Sequence, residues 1–470
     1  MRNLCVVVLL CCCTVLYGQQ SNRTITLKVV DQPLEVILDS ISVKTSYYFA
    51  YNSSLIPAGS LFSCEATNER LSKFLDRLLI GTEIAYQFQG DQIILKRIPP
   101  DKVKLPTGPT GFVISGLARE SDTGEAVPGV NVFLNGTSIG AVTNANGFYK
   151  FENVPFGTYE LVFSHVSYEK SIFEVNVGGT GSIVVNGNMK FKTNELSEIE
   201  VSSSRLVTPE DWEKTYAVFK REFFGESFNA RRCSILNPEV LQFYTVDGGD
   251  VLYAEATGPL RIRNEALGYM IIYELEYFEN FEQRLVYYGK VRFEQLPVTN
   301  QKQRKLWRRN RKSSYRGSLR HFLKSMVHGN LHRQGFRVFK SENVIGLSDA
   351  QTEKVKIEEV LQRRSPVEWQ LEFPNYLYIE YLKEKESDQY LFQMAKELEE
   401  KVLLSTDNIL FLTRKPDIQR SLVKLKESYV NIDANGHIKQ PLGVTTIGYW
   451  SWERFADILP IEYDPKTDNL

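Results

Sequence analysis

The chain has 470 residues, 43% of them apolar and 24% charged, so it holds about three domains of ordinary size and can build cores without staples. Its 56 Lys and Arg stand against 57 Asp and Glu. A balance this even excludes a nucleic-acid or anionic-membrane partner recruited by global charge.

Residues 1–18 follow the order of a secretory signal peptide: Arg2, a nearly unbroken apolar run from Val6 to Val15, then small Gly18 ahead of Gln19. The run is shorter than the ~20 apolar residues of a bilayer span. A lipoprotein signal using Cys11, Cys12 or Cys13 is the lesser alternative, because Leu and Cys rather than small residues precede them. Removing this leader leaves Cys64 and Cys233, each among apolar residues and read as a buried free thiol. The alternative, a disulfide between them, has no support in their spacing. No later segment is apolar enough to span a membrane.

Residues 22–98 read as a small two-layer α+β unit. Thr24 to Val30 alternates as a strand. Pro33 opens a helix whose Leu34, Ile37, Leu38 and Ile41 recur at helical spacing. Tyr47 to Tyr51 returns as a strand. Asn68 is placed to cap a second helix that buries Leu71, Phe74, Leu75, Leu78 and Leu79. Glu83–Phe88 and Gln92–Lys96 form a hairpin around Gly90-Asp91. The pattern PLEVILDSISVKTSYYFAY…NERLSKFLDRLLIGTEIAYQFQGDQIIL resembles the secretin and TonB N-terminal short (STN) domain. That resemblance implies a periplasmic module that docks onto other envelope proteins, with no catalytic residue.

Prolines at 99, 100, 106 and 109 mark a linker over 99–110. Residues 111–202 then show short strands at regular spacing and no helical pattern: Phe112–Leu117, Asn131–Leu134, Ala141–Thr143, Phe148–Phe151, Gly157–Ser164, Ser171–Val177 and Ser182–Met189. Such spacing predicts a β-sandwich. The stretch ISGLARESDTGEAVPGVNVFLNGTSIGAVTNANGFYKFENVPFGTYELVFSHVSYEKSIFEV resembles the carboxypeptidase regulatory-like domain, a transthyretin-like sandwich found in front of starch-utilisation-type TonB-dependent transporters. The resemblance implies an accessory domain without a peptidase site. Asn144, where Asp is common, and Ser167, where Gly is usual, depart from the pattern and put the local turns in question.

Residues 205–470 read as an α+β region with a mainly antiparallel sheet. Its 265 or so residues are too few for the plug and roughly 22-stranded barrel of a complete transporter. Thr208-Pro209-Glu210-Asp211 starts a helix with Trp212, Tyr216, Phe219 and Phe223 on one face, read as core. Strands follow at Val240–Val246, Val251–Ala256, Leu260–Arg263, Tyr269–Phe278 and Leu285–Phe293, with a Gly248-Gly249 turn. Lys302 to Lys340 then carries thirteen Lys or Arg and no acid. Within it, a helix from Ser318 buries Leu319, Phe322, Leu323, Met326 and Val327, and faces Arg320, Lys324, His328 and His321 the other way.

Arg308, Arg309, Arg311, Lys312, Arg316, Arg320, Lys324 and His328 are therefore candidates for an anion site taking phosphate, acidic glycan or lipid headgroups. The competing reading is a solvated basic face balanced by acids elsewhere: Glu274, Glu276, Glu279, Glu282 and a mixed-charge run from Glu353 to Lys401. His328 and His332 are four apart but lack a companion carboxylate, and His321 lies about 10 Å along the helix axis from His328, so no metal site is expected. Gly-x-Ser-x-Gly, Walker A and Rossmann patterns are absent; no catalytic residue is assigned and no cofactor is expected. The tandem predicts an exported, non-enzymatic protein of the periplasm or outer membrane. It would dock on envelope proteins through residues 22–98, with a glycan or anionic ligand and a link to TonB-dependent uptake or its signalling. A secreted hydrolase with an unrecognised site in 205–470 is the alternative.

Overall fold

The computed structural model describes residues 23–468 apart from 53–54, 57–60, 80–81, 83, 99–108, 179–180, 193–204, 247–250, 282–283, 343–353, 366 and 403–417. The leader at 1–18, most of the linker and the Gly248-Gly249 turn lie outside these residues. The chain divides into two compact units, one ending at Val103 and the other beginning at Lys104.

The first unit runs β1 (Thr24–Pro33), α1 (Leu34–Thr45), β2 (Tyr48–Ala50), β3 (Leu61–Arg70), α2 (Leu71–Leu78), β4 (Ile84–Gln89) and β5 (Gln92–Arg97). β1 and β3 pair antiparallel, while β2 lies parallel to β5, which hairpins with β4. The apolar positions set this out: Leu34, Ile37, Leu38 and Ile41 of α1 meet Leu71, Phe74, Leu75 and Leu78 of α2 in one core. Gly90, at φ 63°, makes the hairpin turn that a side chain would strain. Asn68 caps nothing. It sits inside β3 at φ 50°, and α2 starts from Arg70 without a side-chain cap. β3 itself has no counterpart among the predicted strands.

The second unit opens with the sandwich: β6 (Pro109–Glu120), β7 (Asn131–Leu134), β8 (Gly140–Val142), β9 (Phe148–Pro155), β10 (Gly157–His165), β11 (Tyr168–Val177), β12 (Ser182–Val184) and β13 (Gly187–Met189). One sheet is ordered β11-β10-β7-β8. The other is built on β6, which pairs with β9, β12 and β13. The single strand expected over Ser182–Met189 is two, interrupted at Val185-Asn186, where the Val185 carbonyl lies close against Gly116. A Cβ on Gly116 would lie 1.8 Å from the Val185 carbonyl oxygen, so only glycine fits. Asn144 serves the turn well: its Oδ1 accepts from the N–H groups of Asn146 and Phe148, 3.0 Å each.

β14 (Arg205–Leu206) and α3 (Pro209–Phe224) lead into β15 (Cys233–Ile235), β16 (Leu241–Val246), β17 (Val251–Ala256), β18 (Leu260–Asn264), β19 (Tyr269–Phe281) and β20 (Arg284–Gln295). These strands form one antiparallel seven-stranded sheet around the long β19. Phe219 and Phe223 of α3 are buried on it, with Trp212 and Tyr216 half-buried beside them. Next come α4 (Gln301–Tyr315), α5 (Leu319–Val327), α6 (Leu331–Gln334), β21 (Phe336–Ser341), α7 (Ile357–Val360), β22 (Leu361–Arg363), β23 (Glu368–Leu371), β24 (Tyr376–Tyr381), α8 (Asp388–Val402), β25 (Gln419–Leu425), β26 (Val430–Asp433), β27 (Val444–Gly448) and α9 (Tyr449–Trp452). Their sheets, β21-β24-β25-β27 and β22-β23-β26, share a second core with Phe322, Leu323 and Met326 of α5.

Within this unit the sandwich is not a separate bead. Ile461, 5% exposed, lies in the sandwich core, and its N–H donates to the Gly136 carbonyl at 2.8 Å. Phe156 from the sandwich is buried in the core around Trp369 and Trp450. Cys64 and Cys233 are buried free thiols, and burial pushes the Cys64 thiol up to about 11. No helix among the described residues is long and apolar enough to cross a membrane, which leaves β-barrel spans unaddressed.

Candidate functional site

α4 has almost no apolar residue, so its position depends on hydrogen bonds. Asn300 caps it by accepting from the Gln303 N–H at 2.9 Å. Three side chains of its inner face then take successive carbonyls of the turn between β18 and β19. The Trp307 indole donates to Glu265 O at 2.8 Å, Asn310 Nδ2 to Ala266 O at 2.9 Å, and Arg311 Nε to Leu267 O at 2.7 Å. The helical spacing of 307, 310 and 311 matches one tight turn closed by Gly268, where a Cβ would lie 2.3 Å from the Trp307 ring.

The eight candidate cations do not converge on one surface. Arg308, Arg309 and Lys312 lie exposed on the outer face of α4, with Lys302 and Lys305 in the same stripe. Lys302, Lys305, Arg308 and Arg309 have no ion pair or side-chain hydrogen bond among the described residues. Arg316 reaches Glu384 at 4.0 Å. The rest point inward. Arg311 is 2% exposed, stacked 3.9 Å over the Tyr269 ring and 3.5 Å from Asp468. Arg320 Nη1 donates to the carbonyls of Pro460 and Ile461, at 2.9 and 2.5 Å. Lys324 meets Asp464 at 3.5 Å.

His321 and His328 are tied up likewise. His321 Nδ1 accepts from the Gly317 N–H at 3.1 Å, and His328 Nε2 donates to Ala434 O at 3.1 Å. Burial holds both imidazoles down to about 4, so both are neutral. α5 ends before His328, and the break at Gly329-Asn330 separates it from His332 on α6.

Thus the stripe of Arg320, Lys324 and His328, read from the sequence as facing away from the core, is covered. The C-terminal segment lies on it and supplies carbonyls and carboxylates from some 140 residues away. Of the acids expected to balance the basic run, Glu274 and Glu276 hold Lys170, Glu279 lies near Arg284 and Glu282 is outside the described residues, whereas Glu359, Glu380 and Glu384 of the mixed-charge run pair with Lys340, Arg337 and Arg316.

A surface pocket of about 400 Å³ opens at the N-terminal end of α4. Arg232, Arg263, Lys302 and Gln303 supply its polar wall, Leu296 and Pro297 an apolar rim, and Trp307 its inner side. Arg232 and Arg263 come from the sheet region, far from the basic run, and no local sequence signal marks them.

A second group also escaped the sequence reading. Burial raises Glu384 to about 7, against the opposing pull of Arg316 and Lys312. Burial also raises Asp457 to about 6, although Ser227 and Asn229 hydrogen-bond its carboxylate. Glu453, in the field of both acids, is raised as well, with burial as the main cause. These three carboxyls come from two loops 69 or more residues apart, so spacing gave no hint of them.

Residues 114–201 match the CarboxypepD_reg-like domain family. No curated protein matches the chain. Among solved structures, the group B streptococcus pilus 2b backbone protein is 15% identical over 19% of this chain and 43% of that one, at a TM-score of 0.16. A membrane-associated protein of unknown function from Bacteroides fragilis NCTC 9343 is 14% identical over 37% and 66%, at 0.14. A protein from Bacteroides uniformis ATCC 8492 named for carbohydrate binding is 14% identical over 40% and 100%, at 0.15. The chain spans between 31% and 59% of the four pilin subunits that it matches. TM-scores this low establish neither a shared fold nor a shared function.

Proposed function

We propose that this protein is a non-enzymatic component of the gram-negative cell envelope. It is exported by the leader at 1–18 and docks on envelope proteins through the STN-like residues 22–98. An anionic partner is held by the C-terminal half of the second unit, in the service of TonB-dependent uptake or its signalling. The match of residues 114–201 to an accessory domain family supports a binding role. The observation that carries the reading is the outer face of α4. Its inner face is clamped to three backbone carbonyls, and its outer face holds four cations without a carboxylate partner among the described residues. A rigid row of unpaired cations fits an anionic polymer, because binding neutralises charge without ordering the helix.

Retention of the intact chain on immobilised dextran sulfate tests this. The wild type should bind at low salt and elute as salt rises, and the Lys305→Glu/Arg308→Glu/Arg309→Glu variant should flow through. Equal retention of the variant refutes the reading. N-terminal sequencing of envelope material should begin at Gln19; intact Met1 in cytosolic protein contradicts export.

A second reading, a secreted hydrolase, is favoured by the raised carboxyls Glu384, Glu453 and Asp457, since displaced acidities concentrate at reaction centres. Release of reducing ends from an acidic polysaccharide that Asp457→Asn abolishes would favour it over binding.

A further inference from the structure

The pocket beside α4 joins Lys302, Gln303 and Trp307 of the basic run to residues that lie outside it. Arg232 is held over the Phe228 ring at 5.2 Å. Arg263 is braced through its Nε by Glu265 at 3.1 Å, which leaves its two terminal nitrogens for another acceptor. Lys302 has no partner among the described residues. Three cations against the single carboxylate of Glu265 leave the pocket with a local charge of +2.

The wall is also fixed in its hydrogen-bonding sense. Gln303 Oε1 accepts from both the N–H and the hydroxyl of Thr299, at 2.8 and 2.9 Å. That assigns the amide oxygen and leaves its NH2 as a donor without a partner among the described residues. The rim opposite is apolar: Leu296, whose N–H is tied to Gly268 O at 3.0 Å, and Pro297. At about 400 Å³ the space falls within the roughly 300–1,000 Å³ of small-molecule sites.

We propose that this pocket binds an acidic sugar, a uronate or a sugar phosphate. The anion meets Arg232, Arg263 and Lys302, a ring hydroxyl accepts from Gln303, and the C–H face of the ring rests on Leu296 and Pro297. The proposal rests on the anion-binding reading above and locates one subsite of it. On an open surface, screened by salt, affinity for a single sugar is about millimolar.

Titration calorimetry of the intact chain tests it with four probes: glucuronate, glucose 6-phosphate, glucose and inorganic phosphate. The first two should bind at one site and glucose should not. Arg232→Ala/Lys302→Ala should weaken both about tenfold, roughly threefold to fivefold for each surface charge removed. Lys302→Arg should retain binding, and so should Lys150→Ala, an exposed lysine of β9 outside both basic surfaces. Glucose binding as tightly as glucuronate, or a double variant equal to wild type, overturns the proposal. Inorganic phosphate matching glucose 6-phosphate overturns the assignment to a sugar. If no monosaccharide binds yet dextran sulfate is still retained through α4, the pocket fails and the wider reading stands.

Discussion

Replacing Ile461 by alanine tests whether the sandwich and the region after it unfold together. Ile461 is 5% exposed inside the sandwich core, although it follows the sandwich by some 270 residues. Its backbone is pinned on both sides: its N–H donates to Gly136 O, and its carbonyl accepts from Arg320. A pinned backbone cannot move in to fill the space left behind. Large-to-small changes of this kind cost ~2–5 kcal/mol, with unrelaxed sites toward the upper end. A loss of about 3 kcal/mol reduces the folding equilibrium constant more than 100-fold. All five tryptophans, at 212, 307, 369, 450 and 452, lie after the sandwich. Tryptophan fluorescence in denaturant therefore follows that region, while hydrogen exchange at Val132, Leu134 and Leu161 follows the sandwich. Both should lose the same stability in the variant. A shift in the fluorescence transition with undiminished amide protection, or a total loss below ~1 kcal/mol, would refute the coupling.

Gly268→Ala should destabilise the second unit by about 3 kcal/mol or more, read by thermal unfolding, because the site is at φ 74° and the methyl would strike the buried Trp307 ring. Arg311→Leu should cost roughly 3–5 kcal/mol by leaving Asp468 buried and unpaired, whereas Arg308→Ala on the outer face of the same helix should change stability by less than ~0.5 kcal/mol. Burial holds the pKa of His328 down to about 4, so the folded state refuses a proton that the unfolded chain accepts below about pH 6.5. Stability is then lost as pH falls from 6.5 toward 4, and His328→Gln should flatten that limb in melts across the range. Asp457 runs the opposite way. Its raised value makes the folded state hold a proton more tightly, so stability declines as pH climbs from about 4 to 6, and Asp457→Asn should remove that decline.

Periodicity was enough for most of the first 300 residues. Alternation and helical spacing placed α1, α2, the β4–β5 hairpin, seven strand positions of the sandwich and the sheet from β16 to β20, because each side chain there answers to a local core face. Asn68 shows the limit. Its composition suits a cap, yet the pairing of β3 with β1 overrides that preference. The basic run shows a deeper one. Charge along the chain revealed thirteen cations and no acid, and α5's apolar face was legible as Leu319, Phe322, Leu323 and Met326. Which cations remain open to a ligand was settled by Pro460, Ile461, Asp464 and Asp468, whose distance in sequence hides them from any local pattern. The same holds for Arg232 and Arg263 at the pocket. Local spacing fixes which face of an element is apolar. Only the closed tertiary structure decides what lies against a polar face, because electrostatic pairing depends on distance in space and not on separation along the chain.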